Sequence, residues 1–261
     1  MDVGGTQLEM IDKGKGRPIL FLHPHIGLHG ADPFVDRLAS NARVLAPSHP
    51  GFGRTGLPKG FTSVDDIAYF YLDLLDQLDL REVLLVGSSF GAWIAMQLAV
   101  KSTQRISHMV LLDPVGAKFG TREASDVVDI FAVAQPKLHE FSYHDIAHAH
   151  RDYASLSDEE LAIIARNRQS TALFAWNPYM HDPKLALRLH RIRIPTRVLC
   201  GASDRMMSPG WGRRYTEVIP GAGGDAGYRE IPAAGHFPHI EQPEAVARLI
   251  GEFAGAQAVS A

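Results

Sequence analysis

Val83-Leu84-Leu85-Val86-Gly87-Ser88-Ser89-Phe90-Gly91-Ala92-Trp93-Ile94-Ala95 decides the fold. An aliphatic run enters a glycine-bounded turn, and a small, apolar stretch with helical character leaves it. A short apolar run that does not alternate fits a strand buried on both faces of a parallel sheet. A strand that turns at once into a helix strains the residue at the turn and projects its side chain outward. The positions two before and two after must then be small to avoid collision. Gly87 and Gly91 meet that demand around Ser89, and not around Ser88. The first turn of the new helix also favours negative charge beside Ser89. The plainer alternative is a glycine-rich turn with an inert serine; the strand–turn–helix context argues against it. Ser89 is the candidate nucleophile.

A serine hydroxyl needs a base to take its proton. The chain has 13 histidines, so composition selects none of them. Position selects His236, in Ala233-Ala234-Gly235-His236-Phe237-Pro238, after the last predicted strand and before the last predicted helix. The base in turn needs a carboxylate to fix its tautomer and stabilise its cation. Asp204 lies just past the run Arg197-Val198-Leu199-Cys200 and gives the chain order Ser89, Asp204, His236. Its rival is Asp113, at the end of Met109-Val110-Leu111-Leu112, where a polar strand end is the simpler reading.

Further out, Ile19–Leu22, Val44–Ala46 and, more weakly, Tyr228–Ile231 read as strands. Ser63–Asp79 reads as a helix with a capping serine, Asp65 and Asp66 in its first turn, and apolar residues at helical spacing. Gly91–Lys101 and Pro243–Phe253 are further helices, the second opened by proline. This alternation predicts an α/β fold with a mostly parallel central sheet flanked by helices. From about Val115 to Arg193 no strand pattern appears, and the segment is rich in histidine and aromatics. It reads as a helical cap, 115–193, inserted into a core domain of 1–114 and 194–261. The small-residue tail Gly255–Ala261 is expected to fray.

Composition narrows the function class. With 261 residues, 46% hydrophobic and 21% charged, the chain can bury a substantial core. Its 26 basic and 29 acidic side chains supply no basic field for nucleic acid or an anionic membrane surface. The single cysteine, Cys200, reads as a small buried hydrophobe. The polar start and the absence of a long apolar run lead to the expectation of a cytoplasmic protein without signal peptide or membrane span.

The chain resembles the α/β-hydrolase fold superfamily, as a cap-bearing serine hydrolase. Carrying the resemblance are Gly87–Gly91, Leu22-His23-Pro24-His25, His49-Pro50-Gly51-Phe52-Gly53, the Asp204 turn, and His236 followed by Glu241-Gln242-Pro243. It implies an oxyanion hole from the backbone N–H groups of Phe90 and of the loop after Ile19–Leu22. Relatives usually read His-Gly in that loop, where this chain has His23-Pro24. Proline has no N–H, but the implied donor is one residue on, at His25. Trp176 and Phe237 are candidates for the substrate pocket. His144 and His148 stand at helical spacing, but a polar cap face explains them better than a metal. Neither metal nor cofactor is expected, and the only partner expected is a small-molecule substrate.

The leading expectation is hydrolysis of an ester of a small to medium apolar or aromatic acid through an acyl-enzyme. Haloalkane dehalogenases and epoxide hydrolases use an aspartate nucleophile, which Ser89 excludes. Carbon–carbon hydrolases of aromatic ring-cleavage products are the alternative. In them a cap arginine binds the acidic dienol, a role open here to Arg166 or Arg168. Those enzymes usually carry Asn and Met around the serine and Trp after the histidine, against Ser88, Phe90 and Phe237 here. A lactonase would use the same triad. A receptor that keeps the triad but turns over slowly is the distant alternative.

Overall fold

The computed structural model describes residues 1–121 and 124–255; most of the small-residue tail, 256–261, lies outside them. A two-residue hairpin, β1 (Asp2–Val3) and β2 (Thr6–Gln7), precedes the main sheet. That sheet has strands β3 (Met10–Gly14), β4 (Pro18–Leu22), β5 (Arg43–Pro47), β6 (Val83–Ser88), β7 (Ile106–Leu112), β8 (Thr196–Gly201) and β9 (Tyr228–Ile231). Its order is β3-β5-β4-β6-β7-β8-β9. Only β3 runs antiparallel, against β5.

Side chains alternate between two cores, as the pleat requires. Ile19, Phe21, Leu84 and Val86 face helices α1 (Asp32–Ala39) and α8 (Pro243–Gly255). Leu20, Leu22, Val83 and Leu85 face α2 (Val64–Gln77), α3 (Phe90–Lys101) and α6 (Trp211–Val218). Every residue of β6 is buried, which explains its unbroken apolar run. The Ser63 side chain caps α2, accepting from the Asp66 N–H while Asp66 reaches back to the Ser63 N–H. Cys200 is buried, packed where a side chain on Gly212 would strike its sulfur.

The chain leaves β4 toward β5 on one side and passes from β6 to β7 on the other. Order therefore reverses between β4 and β6, the place where open α/β sheets put their sites. The register aligns Leu22 with Gly87 and Ser88 with Leu112, so these strands end at one level. Between β7 and β8 the described residues contain no strand. They hold α4 (Gln135–Ser142), α5 (Asp158–Ala175) and shorter turns. A short helix, α7 (Pro238–Glu241), precedes α8.

Candidate active site

Ser89 sits between β6 and α3 at φ 50° and ψ −112°. That left-handed φ costs free energy on a non-glycine residue and persists because its surroundings fix it. The Ser89 N–H donates to the Leu112 carbonyl at 2.8 Å, and its own carbonyl accepts from Ala92 at 3.0 Å. A Cβ on Gly87 would lie 2.5 Å from the Gly91 oxygen, and one on Gly91 would run into the Leu22 carbonyl. Both glycines are thus demanded by backbone approaching backbone.

His236 Nε2 lies 2.8 Å from Ser89 Oγ, and its Nδ1 lies 2.9 Å from Asp204 Oδ2. A carboxylate only accepts, so Nδ1 carries the proton and Nε2 is free to accept from the serine. Ser89 and His236 are 2% and 1% exposed. The His236 loop is pinned from several sides. Its N–H donates to the Ser142 carbonyl at 2.7 Å. The Gly235 N–H donates to Glu241 Oε2 at 2.6 Å, and Glu241 also accepts from the His144 and Asp145 N–H groups. Glu241, quoted in the sequence only as part of the resemblance, thus holds this loop, a role the sequence reading did not assign it.

Asp204 is the carboxylate on His236, and Asp113 lies behind it. Oxygens of Asp113 and Asp204 and a nitrogen of His236 fall within 4.8 Å of one another. Asp113 accepts from the Gly201 N–H at 3.1 and 3.2 Å and adopts φ 41°. Burial, then the charge of Asp204, drives the Asp113 carboxyl well above its usual range. Burial pushes Asp204 the same way, but the His236 charge and its hydrogen bonds outweigh it and hold Asp204 below its ordinary value. The two acids are thus pushed apart, Asp204 toward the charged form beside His236 and Asp113 toward the neutral one. A metal could bridge these three groups by spacing alone; a shared proton and the serine beyond account for them without one.

The loop after β4 carries the implied second oxyanion donor. His23 Nε2 accepts from the His49 N–H at 3.0 Å, so its Nδ1 donates to the Pro24 carbonyl at 2.7 Å. His49 Nε2 in turn donates to the His23 carbonyl at 2.9 Å, and its Nδ1 accepts from the Tyr71 hydroxyl at 2.6 Å. The two rings stack with centroids 3.6 Å apart. Burial pushes His23 down to about 4, and His49 well below its usual value. Neutral rings with fixed tautomers thus brace the loop that Pro24 stiffens. Among the described residues, neither the His25 nor the Phe90 N–H has a hydrogen-bond acceptor.

Helix α5 closes over this loop. Asn167 bridges the Ile26 carbonyl and the Gly53 N–H, Ser170 donates to the Gly51 carbonyl at 2.6 Å, and Thr171 donates to the His25 carbonyl at 3.4 Å. These polar residues at 167, 170 and 171 share one helix face. The sequence reading overlooked them, though that spacing was their signal.

A cavity of about 140 Å³ opens above His25 and Phe237, with Tyr143, Asn167, Arg168 and Thr171 in its walls. Phe237 lines this cavity. Trp176 is a correction: it caps α5, is 57% exposed, and rests on Phe131 at 5.0 Å, outside the cavity. Its ring packs on an apolar neighbour instead of lining the cavity. Of the two candidate arginines, Arg168 lines the cavity, whereas Arg166 donates to the Gly53 carbonyl at 2.7 Å. His148 also lines the cavity, while His144 bonds Ser203.

Comparison with known proteins bears on the family and the fold. A 2-hydroxy-6-oxo-2,4-heptadienoate hydrolase of Pseudomonas putida is 26% identical, over 97% of this chain and 95% of its own. A 2-hydroxymuconate semialdehyde hydrolase of Pseudomonas putida is 28% identical over 95% of this chain and 91% of its own. Two solved structures share the fold at lower identity. One is the meta-cleavage product hydrolase of Pseudomonas fluorescens (TM-score 0.74, 21% identical, 98% of this chain and 96% of that one). The other is a thermophilic esterase from Thermogutta terrifontis (TM-score 0.75, 22% identical, 96% and 94%). A sequence model of the Alpha/beta hydrolase family matches residues 19–249, from β4 to α8, and so takes in the serine turn, both acids and the histidine: the chain belongs to that family and is a hydrolase.

Proposed function

We propose that this hydrolase cleaves a carbon–carbon bond in an acidic product of aromatic ring cleavage, with Ser89 as nucleophile. The observation that carries this reading is Arg168 in the wall of the cavity over Phe237 and His25. Breaking a carbon–carbon bond leaves an electron pair on carbon, which is costly unless the leaving fragment spreads it into a conjugated acid. A cation beside that fragment stabilises the developing charge. The two Pseudomonas putida relatives, aligned over nearly their whole length, act on substrates of this kind by name.

The steps follow from the geometry. His236 takes the hydroxyl proton as Ser89 Oγ attacks the carbonyl carbon. The N–H groups of His25 and Phe90 hold the oxyanion. As the carbon–carbon bond breaks, His236 returns the proton to the leaving carbon. Water, activated by the same histidine, then releases the acid. Asp204 holds the tautomer throughout.

Ester hydrolysis is the second reading, favoured by one observation. The Ser88 hydroxyl lies 3.4 Å from buried His239 Nδ1, at the position where carbon–carbon hydrolases usually carry an asparagine. The test compares two substrates. A ring-cleavage product should lose its visible absorbance with the wild type and keep it with Ser89→Ala, a fall on the order of 10⁶-fold. Stable absorbance alongside brisk hydrolysis of p-nitrophenyl acetate would overturn the carbon–carbon reading in favour of the ester.

A further inference from the structure

The cavity bordered by His25 and Phe237 is lined by two arginines, while Ser89 and His236 themselves lie outside its lining. Arg168, on α5, is an exposed side chain. Arg151 follows the turn Ile146–Ala149. Among the described residues no aspartate or glutamate lines the space and neither guanidinium enters an ion pair.

Both arginines are anchored by one nitrogen, and among the described residues their other nitrogens have no hydrogen-bond partner. Arg168 Nη2 donates to the Ile130 carbonyl at 3.3 Å, and its guanidinium lies 5.2 Å from the Phe131 ring centroid. Arg151 Nε donates to His29 Nε2 at 3.3 Å. The acid that feels Arg151, Glu160, is occupied: its Oε2 accepts from the Ser157 N–H at 2.8 Å and hydroxyl at 2.7 Å. A third polar group awaits a partner. His25 Nδ1 is enclosed and, among the described residues, has no hydrogen-bond partner. Burial, then the nearby His236 and Arg168, pushes the His25 ring down to about 3, so it stays neutral.

Two like charges facing one space repel. Fork-shaped donors on each match the two oxygens of a carboxylate. A volume of about 140 Å³ suits a chain of about six carbons, since an engineered cavity of about 150 Å³ takes up benzene. We propose that this cavity takes a small dianion, with one acid group on Arg168 and a second on Arg151 and His29. This deepens the reading above and rests on it for the reacting end. The substrate is then an opened ring carrying a second acid group at its far end. The reaction that supplies it is ring opening of an aromatic bearing a carboxylated substituent.

Binding is measurable without turnover, by titration calorimetry of adipate and hexanoate, matched in carbon number. Adipate is expected to bind at least about 10-fold more tightly. Arg151→Gln should abolish that preference and leave hexanoate unchanged. Arg248→Gln removes the same charge from an exposed site paired with Glu252, and should leave the preference intact. Equal binding of the two acids, no binding of either, or a preference that survives Arg151→Gln overturns the proposal. A protein that prefers adipate yet leaves ring-cleavage products intact upholds the dianion site and refutes the carbon–carbon reading. A protein that cleaves them without the preference does the reverse.

Discussion

The carboxyl edge of the sheet and the segment between β7 and β8 meet over the same serine, but they are built differently. At the edge each reacting group is over-determined. Ser89 is locked by backbone bonds to Leu112 and Ala92, His236 by Ser142 and Asp204, and the His25 loop by the stacked His23 and His49. Across the seam, α5 is held by Asn167, Ser170 and Thr171, but Arg168 and Arg151 each keep donors with no partner among the described residues. Positional precision is spent where bonds break, and adaptable side chains stand where substrates differ. That division explains how relatives of one fold act on different bonds.

The sharpest way to break this contrast is to damage the edge without touching the substrate. Asp204→Asn should lower kcat on the order of 10⁴-fold by favouring the wrong histidine tautomer, with little change in thermal stability. Asp113, held on the Gly201 N–H, should not take over. Adding Asp113→Asn should therefore cost little more. A single variant with near-normal kcat would show that the two acids are interchangeable and the edge less rigid than described.

Acid should attack the edge next. Burial holds His23 down to about 4, His25 and His239 down to about 3, and His49 well below its usual value. In the unfolded chain each titrates near ~6.5. The native state thus binds fewer protons than the unfolded one below that point. Their contribution is complete above ~6.5 and is lost as pH falls toward ~4. Each ring that titrates within its window can cost up to about 1.4 kcal/mol per pH unit. Asp113 works in the opposite sense: its raised value means stability is lost as pH climbs above the unfolded ~3.9. Urea midpoints at pH 7, 6 and 5 should fall steeply, and a flat series would contradict four neutral buried rings.

How much of this could be read from the chain follows the same division. The parallel strands and the serine turn were legible because two-faced burial and backbone crowding leave few residue choices at Val83–Gly91. Strand β3 was not, because Met10-Ile11-Asp12-Lys13-Gly14 is a half-exposed edge strand with charges in it. Helices α1 and α6 were not legible because each is only eight residues long, although α1 repeats Phe34, Val35 and Leu38 at helical spacing. The acid on His236 was legible from chain order, but the push on Asp113 toward its neutral form was not: it depends on the distance to Asp204, which no local pattern encodes. In the inserted segment, aromatic content suggested a pocket. The structure spends Phe174 in the core and uses the Tyr179 hydroxyl to bridge Ile130 and Val128.

Trp176 gives the smallest effect and the most direct check on that last point. Its ring is 57% exposed and touches Phe131, itself beneath the Arg168 guanidinium. Trp176→Ala removes surface that is mostly already in water, so stability should change by about 0.5 kcal/mol or less. Because the ring does not line the cavity, KM and kcat for any substrate should stay within about twofold of wild type. A loss confined to KM would mean that Phe131 transmits the ring's position to Arg168 and that the cation is tuned from outside. A loss in kcat would mean the segment closes farther over Ser89 during turnover, drawing Trp176 into the site and making the division between edge and insertion one that substrate erases.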